Sequence, residues 1–208
     1  MGRDVAALNI PQSCDEFNGG FGWIVDEFMA RCSHVLVAAG RVWAIDPLLG
    51  DGVEDRIRAA GEPAGVLQLL DRHNRDCAEL AKRLGVPRHF VPTATVPPFE
   101  LIPIRLGRRW KEVALWWPER RVLVCGDALG TVDYFLAGDE RLGVHPLLRL
   151  RPPRQQLGGL DPATILCGHG EGIFEDAAAV LREALSTSRR RIPAQAASAW
   201  RAWRARPS

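Results

Sequence analysis

The chain has 208 residues, 47% apolar and 25% charged, and 27 basic against 25 acidic side chains leave a net charge of +2. That length holds one domain with a sizeable core, and the balance excludes an intrinsically disordered chain. So small a net charge gives nucleic-acid binding no support, and no apolar run approaches the length of a membrane span. The start, Met1-Gly2-Arg3-Asp4-Val5, lacks the apolar stretch of a signal peptide. The five cysteines (Cys14, Cys32, Cys77, Cys125, Cys167) are scattered, odd in number and form no CxxC pair. Free thiols in a reducing compartment fit this better than a disulfide framework, so a cytoplasmic protein with no membrane partner is expected.

In chain order, Val35–Ala39, Gly40 and Arg41–Asp46 predict a hairpin of two strands. Gly52–Ala60 predicts a helix with Asp51 as N-cap and Gly61 as its stop. Val66–Leu70 is an apolar run that ends in a charged cluster. Cys77–Leu84 predicts a helix capped by Asp76 and ended by Gly85. Glu112–Trp116 and Arg121–Cys125 predict a second hairpin turned at Pro118-Glu119, and Thr164–Cys167 a short strand closed by Gly168. Runs apolar on consecutive residues imply strands covered on both faces. Asp176–Ser186 places Ala177, Val180, Leu181, Ala184 and Leu185 on one helical face. Strands and helices so mixed point to a layered α/β domain. Residues 1–188 form it, and 189–208 are a basic, Trp-containing tail, docked as a helix or partly disordered. Trp200 and Trp203, three apart, share a face that would pack on the body, with the arginines in water.

Three segments belong together. They are Leu69-Leu70-Asp71-Arg72-His73-Asn74-Arg75-Asp76-Cys77, then Val122-Leu123-Val124-Cys125-Gly126-Asp127, then Ile165-Leu166-Cys167-Gly168-His169-Gly170. In this order, with Ile45-Asp46-Pro47 after the first hairpin, they resemble the metallo-β-lactamase superfamily from about Val35 to Leu185. The resemblance implies a four-layer αββα sandwich of two mixed β-sheets flanked by helices. It also implies a two-metal site built on His-x-His-x-Asp-His, a later Gly-His, a bridging Asp after Gly, and a final Gly-His-Gly histidine. Placed on that pattern, the three ligands of the first metal become Arg72, Asn74 and Arg108. The second site keeps groups able to bind a metal: Asp76, Cys77, Asp127 and His169. His73 falls on an intervening position and is not expected to rescue the first site.

Two carboxylates at the bottom of a cleft need positive charge nearby. Arginine stays protonated when desolvated and grips a carboxylate with two hydrogen bonds. The leading expectation is therefore a degenerate site, a pseudoenzyme or impaired hydrolase without cofactor, in which Arg72 and Arg108 replace the first metal and pair with Asp76 and Asp127. The alternative is one zinc or iron ion on Asp76, Asp127 and His169, with Cys77 as a possible fourth ligand, serving a hydrolase of esters, thioesters or phosphodiesters. Asp76 and Asp127 are then the candidate catalytic acids. A third reading is an adaptor that binds an acidic partner through the tail. The ligand expected in the cleft is a small molecule, anionic if Arg72, Arg108 and Arg109 line it. Asp46 is expected to fix a loop, His34, His89 and His145 to be structural or surface residues, and Trp43 and Trp116-Trp117 to be packing.

Overall fold

The computed structural model describes residues 12–25, 29–73, 75–107 and 110–204, apart from the side chains of 199 and 201–203. One sheet contains β1 (Gln12–Phe17), β2 (Gly20–Ile24), β3 (Cys32–Ala38), β4 (Arg41–Ile45), β5 (Glu62–Gln68) and β6 (Arg88–Phe90), side by side in chain order. Its first four strands are antiparallel, whereas β4, β5 and β6 run parallel. Parallel neighbours need crossovers. Helices α1 (Val53–Ala60) and α2 (Cys77–Leu84) supply them. The second sheet has the order β12 (Thr164–Cys167), β9 (Val122–Cys125), β8 (Lys111–Trp117), β7 (Glu100–Arg105), with β12 parallel to β9 and the rest antiparallel. A short ribbon, β10 (Leu129–Gly130) with β11 (Gly143–Val144), and the helices α3 (Arg154–Leu157), α4 (Ala177–Thr187) and α5 (Ile192–Arg204) complete the chain.

Three separate apolar cores define the layers. Val35, Ala44 and Val66 face Ile57 of α1 and Leu80 of α2. The alternate residues Leu36, Ile45 and Leu67 face Leu115, Val124 and Leu166 of the other sheet. The outer face of that second sheet, Ala114, Leu123 and Ile165, packs on Val180, Leu181 and Leu185 of α4. Helix, sheet, sheet and helix therefore stack in that order, which is the αββα sandwich. Each such buried Val, Leu or Ile contributes roughly 1.5–3 kcal/mol relative to exposure. This double coverage explains why Val35 and Leu36 are both apolar although they point to opposite faces. At Gly20 a Cβ would stand 1.9 Å from the Val35 carbonyl, so only glycine lets β2 approach β3 there.

Some local expectations change. Asp51 does not cap α1. Gly52 occupies that position at φ +75°, with no side-chain cap. Asp76 does precede α2, but its carboxylate accepts from the Leu49 N–H at 2.7 Å instead of capping the helix. The first hairpin, Gln12–Ile24, and the edge strand β7 were not anticipated. In the tail, α5 is tied down early, where Gln195 donates to the Tyr134 carbonyl at 2.9 Å and Arg191 to Glu183 at 2.9 Å. Trp200 does not pack on the body: it is 56% exposed, with the Arg204 guanidinium 4.5 Å from its ring. The Trp203 side chain lies outside the described residues. Among the described residues, no helix is long and apolar enough to cross a membrane.

Candidate metal centre

Two parallel strand pairs set the site. Asp46 follows β4 directly, His73 lies in the loop after β5, Asp127 lies two residues past β9, and His169 two past β12. Because β4 runs with β5 and β9 with β12, these loops emerge on shared edges of their sheets. The sheets are laced together there. The Cys32 N–H donates to the Gly168 carbonyl at 2.9 Å and the Val113 N–H to the Leu69 carbonyl at 2.8 Å.

The His73 ring bridges two carboxylates. Its Nδ1 lies 2.9 Å from Asp46 Oδ2 and its Nε2 2.7 Å from Asp127 Oδ1. His169 approaches the same oxygen: its Nε2 is 3.1 Å from Asp127 Oδ1, while its Nδ1 is 2.8 Å from the Met29 carbonyl. Asp46 also accepts the Leu69 N–H at 3.0 Å, so it fixes both the loop and the ring. Among the described residues, His73, Asp127 and His169 are the one group of His, Cys, Asp or Glu whose ligand atoms all lie within 4.8 Å of one another.

This geometry leaves little freedom over protons. Carboxylate and carbonyl oxygens only accept, so each Nδ1 must carry hydrogen. Each Nε2 then faces a carboxylate oxygen, and only a proton or a cation can make that approach favourable. Without a cation, burial alone would push the His73 pKa down, but Asp46 and the bond to Asp127 outweigh it and lift it to about 9. Burial would likewise raise Asp127, yet the hydrogen bonds and charges of His169 and His73 hold it well below the carboxylate range.

The sequence-derived residues divide. Asp127 and His169 meet in the cluster. His73, which falls on an intervening position of the motif, lies with them. Asp76 holds the Leu49 backbone. Cys77, the first residue of α2, is fully buried among Val66, Leu80 and Ala81, and burial, then Asp46, pushes its thiol up to about 12. A thiol so placed is neither a reactive nucleophile nor a ready ligand. Arg72 lays its guanidinium 4.5 Å over the Trp110 ring, with its Nε 3.9 Å from Asp71. Asn74, Arg108 and Arg109 lie outside the described residues. Among the described residues, the imidazoles of His73 and His169 meet Asp127 Oδ1. An arginine that reaches the backbone around the cluster is Arg75. It donates to the carbonyls of Cys32, Asp46 (3.1 Å) and Gly168 (2.8 Å), joining three loops around the cluster.

Two further residues were not singled out beforehand. Glu112 of β8 is fully buried. It accepts the Gly126 and Ala128 N–H groups at 2.8 and 3.1 Å and the Trp110 indole N–H at 2.9 Å, so it clamps the backbone on both sides of Asp127. Burial, then the charge of Asp127, raises it to about 7. Phe135 stacks on His169 at 5.7 Å between ring centres and meets His145 edge-on at 5.3 Å. His145 also lies 4.7 Å from Trp110, and burial lowers it to about 4, so it is a neutral member of an aromatic wall.

No sequence-family model matches the chain, and no curated protein matches it. Solved structures do. The DIM-1 metallo-β-lactamase exposed to ceftazidime superposes with a TM-score of 0.60 at 14% identity, covering 88% of this chain and 99% of that one. This chain has the metallo-β-lactamase fold. A metallo-β-lactamase from Pontibacter korlensis gives a TM-score of 0.55 at 12% identity, over 85% of this chain and 99% of its own. The metallo-β-lactamase FIM-1 from Pseudomonas aeruginosa, in its mono-zinc form, gives 0.58 at 9% identity, over 86% and 96%. In metallo-β-lactamase terms the similarity is one of architecture, and the His73–Asp127–His169 cluster sits at loops carried by both sheets.

Proposed function

We propose that this protein is a single-metal hydrolase of the metallo-β-lactamase fold, its ion held by His73, Asp127 and His169. The observation that supports it is the convergence of two imidazole Nε2 atoms on Asp127 Oδ1 while both Nδ1 atoms are already committed to acceptors. Histidine ligands of metals carry just such a bond on the other ring nitrogen, which fixes tautomer and orientation. Two nitrogens and a carboxylate suit zinc, and three protein ligands leave a position open. A mono-zinc form is on record for the FIM-1 neighbour. A divalent cation supplies Lewis acidity toward a carbonyl or phosphoryl oxygen.

The chain's own residues do the rest. Asp46 orients His73, the Met29 carbonyl orients His169, and Glu112 holds the turn that presents Asp127. Phe135, Trp110 and the neutral His145 exclude water from one wall. The arrangement accommodates ester, thioester or phosphodiester hydrolysis.

A second reading, a metal-free and non-catalytic homologue, is favoured by one observation: with His73 protonated, the cluster closes on itself as ion pairs. Elemental analysis of protein purified without chelator and then incubated with zinc separates the two. We expect one zinc per chain, lost in His73→Ala and His169→Ala and kept in Asp76→Asn and Cys77→Ser. Hydrolysis of nitrophenyl ester and phosphodiester substrates should follow the zinc. Wild-type protein that takes up no metal overturns the hydrolase and leaves the metal-free homologue.

A further inference from the structure

A cleft lies away from the cluster, between the end of β7 and the segment that leads into α3. Its volume is about 470 Å³. Small-molecule sites span roughly 300–1,000 Å³. The cleft contains none of His73, Asp127 and His169.

Its lining is unusual in charge. Arg105, Arg151, Arg154 and Arg189 all reach it, and no Asp or Glu does. Among the described residues, no carboxylate forms an ion pair with any of the four. Arg154 donates to the Leu185 and Ser186 carbonyls at 2.8 and 2.9 Å, and Arg189 donates through Nε to the Leu150 carbonyl at 2.8 Å. Those bonds fix two guanidinium groups in place and leave terminal N–H groups over. The floor is apolar: Ile104 and Leu148 are buried and Leu106 is half-buried beside them. Pro152 and Pro153 form a wall whose backbone φ is preset.

Four guanidinium groups around one cavity repel one another, and an anion between them removes that cost. Planar forks match phosphate oxygens two at a time. One carboxylate could answer one of these arginines, whereas a di- or triphosphate answers several. The apolar floor calls for an organic portion. We propose that this cleft binds a phosphorylated small molecule, with its phosphates on the arginines and its organic part on Ile104, Leu106 and Leu148.

The test is calorimetric titration in EDTA, which silences any metal centre, with ADP, inorganic pyrophosphate and adenosine as probes. Arg105 and Arg151 are exposed and unpaired by carboxylates, so Arg105→Gln and Arg151→Gln should fold. ADP should bind more tightly than pyrophosphate, and adenosine should not bind measurably. Each substitution should weaken ADP binding roughly tenfold or more, as loss of a charge-assisted bond requires. High salt should weaken it too. ADP binding that is absent, or unchanged in the double variant, overturns the proposal. Pyrophosphate binding as tightly as ADP overturns the organic part. A DNA duplex that binds where ADP does not makes the cleft a nucleic-acid surface and also overturns it.

Discussion

Glu112 is the residue whose replacement tests the site's construction most directly. In Glu112→Gln the amide oxygen can still accept the Gly126 and Ala128 N–H groups, but its NH₂ then faces the Trp110 indole N–H. One buried donor is orphaned, at a cost of about 1–3 kcal/mol. Glu112→Ala orphans all three donors and should cost at least about 3 kcal/mol. The pH dependence has a definite sign. The folded pKa of Glu112 is about 7 against an ordinary 4.5, so between those values the native state holds the extra proton. Wild-type stability from this group therefore falls as pH rises through that window. The 2.5-unit difference corresponds to about 3 kcal/mol as an upper figure. Glutamine does not titrate, so the deficit of Glu112→Gln should shrink from pH 5 to pH 8 by a large part of that amount. Guanidinium unfolding followed by tryptophan fluorescence in EDTA measures it. A deficit independent of pH, or an alanine variant no worse than the glutamine one, would refute the clamp.

Two other outcomes follow from the same geometry. With metal removed, His73 stabilises the fold fully below pH 6.5, and this is lost as pH rises through about 9. Thermal melts of the EDTA-treated protein should fall across that window by an equivalent of about 3 kcal/mol, less so in His73→Asn, and bound zinc should abolish the slope. Arg75→Ala frees three backbone carbonyls around the cluster and should cost about 2–4 kcal/mol, with Arg75→Lys recovering little because one ammonium cannot span the three oxygens. A melt of Arg75→Lys indistinguishable from wild type would remove that role.

Legibility followed the physics of each element. The Cys32–Ile45 hairpin, β12 and α4 announce themselves because burial on both faces, or on one helical face, leaves an unbroken apolar pattern. Strand β7 hides because it is an edge, mostly exposed and interrupted by Pro103. Asp127 and His169 were visible since each closes a strand with a glycine before it. His73 was not, because counting along the motif assigns positions and not directions. The loop bends where the His73 N–H meets the Leu70 carbonyl and the Arg75 N–H meets the His73 carbonyl, and Asp46 on another strand then claims the ring. Glu112 likewise reads as an ordinary polar strand residue, and its three donors come from positions no local pattern connects.

The three cores and the cluster share almost no side chains: none of His73, Asp127, His169 or Asp46 belongs to any of them. The polar groups of the cluster stand on loops after strands, outside the apolar layers, although Asp46 and Glu112 also hold backbone there. Arg72 lies exposed over the Trp110 ring, so a change of side chain there opens no cavity in any layer. A scaffold so partitioned can lose a metal site, shift it by one residue or rebuild it in another register while its strands keep their places. Identities of 9–14% beside TM-scores of 0.55–0.60 are what such independence leaves behind.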